Sequence, residues 1–206
     1  MGKGEETMDK ENLEVKETAL KYHINQGDKR YTYADYASWD TEDRYELIDG
    51  MAYMMSAPLR KHQGISGQLF KQLIIFLTGH PCKVYYAPFD VRLFGRGDND
   101  DTVVQPDITV VCDKSKLDEK GCNGAPDMII EILSPSTLRH DTVRKFNKYL
   151  QAGVREYWIV DPESKTVSVH ILENGQYATK EYADTDTISV YILKGCQINI
   201  QDVFEE

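Results

Sequence analysis

The chain has no long apolar run. Its uninterrupted apolar stretches stop at the length of Leu73–Leu77, far below the ~18 residues a membrane-spanning helix needs. Residues 1–18 are charged throughout and contain no apolar signal core, so nothing there reads as an export signal. The expected location is cytoplasmic, with no membrane partner. Cysteine is scarce: Cys82, Cys112, Cys122 and Cys196, none in CxxC spacing. This excludes the usual zinc knuckle and predicts free, buried thiols. Positive charge is also short. Twenty-four Lys and Arg face 34 Asp and Glu, for a net charge of −10. A protein that coats nucleic acid neutralises phosphates with Lys and Arg, so any DNA contact is expected to be local, weak or transient. No internal repeat is visible.

What remains is ordinary globular material, 41% hydrophobic and 28% charged, enough for one α/β domain. The polar residues 1–30 read as a flexible tail, with a single domain over 31–206. Thr32 followed by Asp35 reads as a capping start for a short helix ending near Trp39. Residues 44–56 alternate around Asp49-Gly50, a two-residue hairpin turn. From Leu59 to Thr78 the period becomes helical, with Ile65, Leu69, Leu73, Phe76 and Leu77 on one face. Strand signals follow over 83–94, 103–112 and 127–133. A second helix over 138–152 has Val143, Phe146 and Leu150 inward and Gly153 closing it. A Tyr/Trp/Ile/Val strand covers 156–160. Further strands near 167–172, 176–182 and 188–193 include a second hairpin turn at Asn174-Gly175. The helical crossover between the strands at 127–133 and 156–160 predicts that these two run parallel.

The chemistry concentrates on two of these strands. An antiparallel register that sets Val111 opposite Asp127 also sets Asp107 opposite Glu131. Opposed side chains share one sheet face, with Cβ atoms about 4.5–5.5 Å apart. Two such carboxylates repel unless a positive charge joins them, and a hard divalent cation such as Mg²⁺ or Mn²⁺ fits that role. In the plainer alternative Asp107 merely starts a strand and Glu131 meets a Lys or Arg. Against this, Glu131 lies in Met-Ile-Ile-Glu-Ile-Leu, which reads as buried on both faces, and acids are rarely buried without a partner or a metal.

The order helix, three strands, helix, strand, with Pro106-Asp107 on the second strand and Glu131 on the third, resembles the restriction-endonuclease-like PD-(D/E)XK superfamily. More narrowly the chain resembles the Uma-two family of restriction endonucleases. The matching segments are Tyr45-Glu-Leu-Ile-Asp-Gly50, Gln105-Pro-Asp107, Ala125-Pro-Asp127, Glu131-Ile-Leu-Ser-Pro-Ser136, the spacing Asp141, Lys145, Tyr149, and Gly153-Val-Arg-Glu-Tyr-Trp158. The resemblance implies an α-β-β-β-α-β core with a mixed sheet flanked by helices, plus an extra N-terminal hairpin and C-terminal strands. It implies a Mg²⁺- or Mn²⁺-dependent endonuclease acting on DNA, with Asp107 and Glu131 as metal ligands and Glu46 as a further acid; an exposed hairpin glutamate is the equal alternative for Glu46. One departure is plain: the superfamily's lysine belongs two residues after the acid, where this chain has Leu133. Lys145, flanked at one-turn spacing by Asp141 and Tyr149, is the candidate replacement, to orient water or stabilise phosphate charge. The alternative is a solvated helix lysine paired with Asp141.

Weaker candidates are His62, which opens the first long helix and could approach a phosphate, although a surface histidine at a helix start is the commoner case, and Asp90, which faces Asp107 in one register of the first two strands and otherwise makes a structural hydrogen bond. Arg139, Arg144, Lys145 and Lys148 form the densest basic stretch and are candidate phosphate contacts, although a solvated helix face is the commoner explanation of such a run. Leu133 and the acidic charge leave a second reading open: a catalytically degenerate nuclease fold that binds nucleic acid or protein. A homodimer through the C-terminal strands belongs to the same set of expectations.

Overall fold

The protein is described by a computed structural model covering residues 29–134 and 139–205, with 139–142 given by backbone alone. The expected tail over 1–30 lies almost wholly outside the described residues. Thr32 caps helix α1 (Tyr33–Tyr36); the Asp35 carboxylate accepts from its backbone N–H at 2.9 Å and its hydroxyl at 3.1 Å. Strands β1 (Tyr45–Ile48) and β2 (Met51–Met54) form the expected hairpin. Its turn needs two left-handed residues, Asp49 at φ 53° and Gly50 at φ 74°. At Gly50 a Cβ would sit 2.9 Å from that of Arg30, so only glycine fits.

Helix α2 (Arg60–Leu77) buries Ile65, Leu69, Leu73 and Leu77, the stripe its period predicts. The two strands expected over 83–94 and 103–112 are each broken. Strand β3 (Lys83–Tyr86) and β4 (Val91–Arg92) belong to different sheets, as do β5 (Val103–Val104) and β6 (Ile108–Val111). The second break falls at Gln105-Pro106, where proline offers no N–H to a ladder. Strands β7 (Leu117–Asp118) and β8 (Gly121–Asn123) follow, then β9 (Met128–Ile132), helix α3 (Arg139–Ala152) and β10 (Glu156–Asp161). The long hairpin β11 (Thr166–Glu173) and β12 (Gln176–Ala183) turns at Asn174-Gly175, and β13 (Thr187–Ser189), β14 (Gln197–Asn199) and α4 (Ile200–Phe204) end the description.

The result is a mixed α/β fold in which the described residues form two six-stranded sheets, ordered β2-β1-β5-β4-β8-β7 and β12-β11-β10-β9-β6-β3, with β13-β14 as a separate pair. The predicted parallel pair is present, with Tyr157 opposite Ile129 across β10 and β9. Alternation along β6 and β9 sends Ile108, Val110, Met128 and Ile130 toward α2, β13, β14 and α4. It sends Val111 and Ile129 the other way, toward Tyr149, Tyr157, Ile48 and Val91. The site stands on this second face, where the chain crosses from one sheet to the other.

Two expectations are corrected here. Val143 is not inward; it is 60% exposed. The inward face of α3 carries Lys145, Phe146 and Tyr149 instead, because ion pairing turns a lysine inside that hydropathy assigns to water. Nor are all four cysteines free. The β3–β6 register pairs Lys83 with Val111, so the next residues out, Cys82 and Cys112, oppose one another and form a disulfide; spacing in sequence does not show this. Cys122 and Cys196 are free and buried, as expected.

Behind α3, His170 is buried beside Phe146, Tyr157 and Tyr177, with Nδ1 bonded to the Thr179 hydroxyl. Burial pushes its pKa from 6.5 down to about 4. Between those values the unfolded chain binds more protons at this residue than the folded one. Its contribution is therefore intact above about 6.5 and is lost as pH falls toward 4. His170→Phe should abolish an acid-side stability loss of roughly 2–3 kcal/mol, read from urea midpoints at neutral and acid pH. Parallel pH profiles for variant and wild type would refute the assignment.

Candidate active site

The β6–β9 ladder pairs Ile108 with Ile130 and Val110 with Met128, the register expected from the sequence. Carried one residue further, it brings Asp107 across from Glu131. Instead of continuing the backbone ladder, the Asp107 side chain accepts the Ile132 N–H at 2.7 Å through Oδ2. The same oxygen lies 3.2 Å from His62 Nε2, at the start of α2. Burial works against charging this imidazole, but the hydrogen bond to Asp107 and the nearby Glu131 charge outweigh it and hold the pKa above its ordinary value. His62 is thus a buried member of the site and not a surface histidine; its Nδ1 is buried with no partner among the described residues.

Lys145 reaches in from α3. Its ammonium donates to Glu46 Oε1 at 2.8 Å and to Glu131 Oε1 at 3.1 Å, while the Tyr149 hydroxyl donates to the same Glu131 oxygen at 2.6 Å. Glu46 comes from the β1 hairpin, only 5% exposed, and its Oε1 also accepts the Gln105 backbone N–H at 2.8 Å. One lysine therefore stands between two buried acids supplied by different sheets. Burial pushes the Glu131 carboxyl up to about 7, with Lys145 pulling the other way and Asp107 and Glu46 adding to the rise. The lysine, although burial disfavours its charge, is held above its usual range by the two glutamates. The solvated-lysine alternative is thereby removed. Each acid commits one oxygen to the protein: Oδ2 of Asp107, Oε1 of Glu131 and Oε1 of Glu46. Their second oxygens have no hydrogen-bond partner among the described residues. The group lines a cleft of about 160 Å³ together with Arg44 and Gln105. Among the described residues, no three His, Cys, Asp or Glu side chains converge closely enough to cage a metal by themselves.

Other predicted residues fall elsewhere. Asp90 does not face Asp107. The β3–β6 register ends with Ala87 N–H on the Asp107 carbonyl, and three residues later Asp90 sits behind the site, accepting from Gln105 Nε2 at 2.8 Å and the Tyr36 hydroxyl at 3.2 Å. It takes the structural alternative. Lys148 pairs with Asp49 at the hairpin turn, and the Arg144 guanidinium lies 4.6 Å from the centre of the Tyr53 ring. Arg139 and Asp141 lie on α3, but their side chains are outside the described residues. Arg44 and Gln105 were given no role from the sequence. The signal for Arg44 was its position two residues before Glu46, which puts both on one strand face.

An aspartate just before β6, a glutamate on β9, a lysine clasped between acids, and a β-β-β-α-β frame around them define a nuclease-type fold with a polar, carboxylate-rich cleft. The sequence matches the Uma2 family, described as "Putative restriction endonuclease", over residues 33–201, and the chain belongs to that family. In Synechocystis sp., the protein called "Uncharacterized protein slr1290" is 24% identical over 160 residues, which is 76% of this chain and 82% of that one. The fold is shared with a crystal structure from Anabaena variabilis described as a "putative nuclease belonging to DUF820". The two superpose with a TM-score of 0.69 at 23% identity over 84% of this chain and 97% of that one. No helix among the described residues is long and apolar enough to cross a membrane.

Proposed function

We propose that this chain is a divalent-metal-dependent phosphodiesterase that cuts polynucleotide backbones, with DNA as the expected substrate. The observation that carries this reading is the clasp of Lys145 on Glu46 and Glu131 beside Asp107. Asp107 and Glu131 suit Mg²⁺ or Mn²⁺, because each keeps one oxygen uncommitted while its other oxygen is fixed. A hard cation of this kind binds through one or two carboxylates and retains several waters, so a three-acid cage is not required. When bound, the ion would acidify a water and offset charge on the phosphate.

The remaining work belongs to the chain's own groups. The Ile132 N–H and His62 hold the Asp107 carboxylate in place. Tyr149 and Lys145 fix that of Glu131. The Lys145 ammonium supplies fixed positive charge where a phosphate would gain negative charge. With a net charge of −10, the protein is expected to hold DNA briefly; Arg144 and Lys148, on the α3 side, are the proposed flanking contacts. The test is incubation of purified protein with duplex DNA, single-stranded DNA and RNA, in Mg²⁺ or Mn²⁺, beside Glu131→Gln. Cleavage by the wild type and none by the variant is expected. Intact polynucleotides throughout would overturn the enzymatic reading and leave the fold.

A further inference from the structure

We propose that Arg44 is the phosphate-binding residue of this cleft, aimed there by Gln105 and, through it, by Asp90. The proposal rests on the phosphodiesterase reading above.

Arg44 differs from three other arginines of the fold in how its charge is used. Arg92, Arg96 and Arg155 each hold a carboxylate, from Asp118, Asp101 and Asp127. Arg44 lines the cleft and is paired with no carboxylate among the described residues. Lys145 and His62, which also line it, are taken up by Glu46 and Glu131 and by Asp107. Arg44 is therefore positive charge that the protein places at the site and leaves unneutralised.

Its direction is also fixed. Nε and Nη2 both donate to the side-chain oxygen of Gln105, at 3.0 and 2.6 Å. A guanidinium has five N–H donors, so three remain for a ligand, in the planar fork that matches phosphate oxygens. Gln105 cannot turn its amide over. Its Nε2 donates to Asp90 at 2.8 Å and to the Tyr36 hydroxyl at 2.9 Å, and a flipped amide would set its oxygen against the Asp90 carboxylate. The backbone N–H of the same glutamine holds Glu46. One residue thus ties the arginine to the acids, and Asp90 acts as a positioning residue two hydrogen bonds behind the cleft. A polynucleotide phosphate is the ligand this arrangement fits: a diffuse anion taken by a fork, next to carboxylates suited to a metal.

The experiment measures anisotropy of a short fluorescent duplex with a phosphorothioate backbone in Mn²⁺, across a salt series, alongside calorimetry of Mn²⁺ alone. In Arg44→Met, affinity should fall about 10-fold, and the slope of log K against log salt should shrink by about one charge. Mn²⁺ binding should be unchanged. Arg44→Lys should restore the slope but only part of the affinity, because a point charge cannot grip the Gln105 oxygen and a phosphate as a fork. Gln105→Met should lower affinity with the slope intact, a split that simple misfolding does not produce. Arg44→Met binding with wild-type affinity and slope would overturn this proposal alone. A wild type that binds Mn²⁺ but no polynucleotide would overturn the phosphodiesterase reading and this proposal with it.

Discussion

Replacing Lys145 with methionine is expected to cost about 3–5 kcal/mol of stability at neutral pH, the usual penalty for removing one partner of a buried ion pair. Here the ammonium serves two acids at 2.8 and 3.1 Å, so its loss leaves Glu46 and Glu131 facing one another uncompensated. The pH dependence identifies the cause. Burial already holds the Glu131 carboxyl near 7, and Lys145 is what pulls it down; without the lysine it rises further. A carboxyl whose folded pKa lies above its unfolded value binds more protons when folded, so its burden on stability fades as pH falls through that window. Lys145→Met should therefore regain stability on acidification from neutral pH, and Lys145→Met with Glu131→Gln should regain much of it at neutral pH. Urea midpoints at two pH values measure this. A single variant as stable as wild type at neutral pH would show that the lysine does not neutralise the pair. The same variant should fail to cleave, because the fixed positive charge beside the phosphate has gone.

Asp107→Asn is the counterpart. The amide oxygen can still accept the Ile132 N–H that Asp107 now holds at 2.7 Å, so the fold should lose no more than about 1 kcal/mol. The negative charge is lost, however. Outer partners of a metal ligand alone are worth about 10–100-fold in affinity, so removing a ligand's charge should weaken Mn²⁺ binding by more than about 100-fold and abolish cleavage. Calorimetry reads the first and a gel the second. Unchanged Mn²⁺ affinity would place the metal away from Asp107; a repeat with duplex present separates a site that phosphate must complete.

Much of this arrangement was legible in the residues. Asp49-Gly50 and Asn174-Gly175 require left-handed backbone, so they marked both hairpins. The stripe through Ile65, Leu69 and Leu73 marked α2. The alternation along β6 and β9 admits few registers that bury the right faces, and the one chosen put Asp107 beside Glu131. These are local matters, set by backbone sterics and by hydrophobic period.

Tertiary structure alone decided how distant charges meet. Lys145 reads as a surface residue by hydropathy, and Val143 as a core one. Their places exchange because two glutamates from separate strands offset the cost of burying an ammonium, and neither glutamate is near it in sequence. The same holds for Asp90, which the break after β3 carries away from Asp107 and into the bonds that orient Gln105, and for Cys82 and Cys112, which meet only once β3 and β6 are in register. Periodicity, turns and registers depend on neighbours along the chain, so the sequence by itself determined them. Charge compensation depends on distance in space, and that distance exists only after the two sheets have closed on one another.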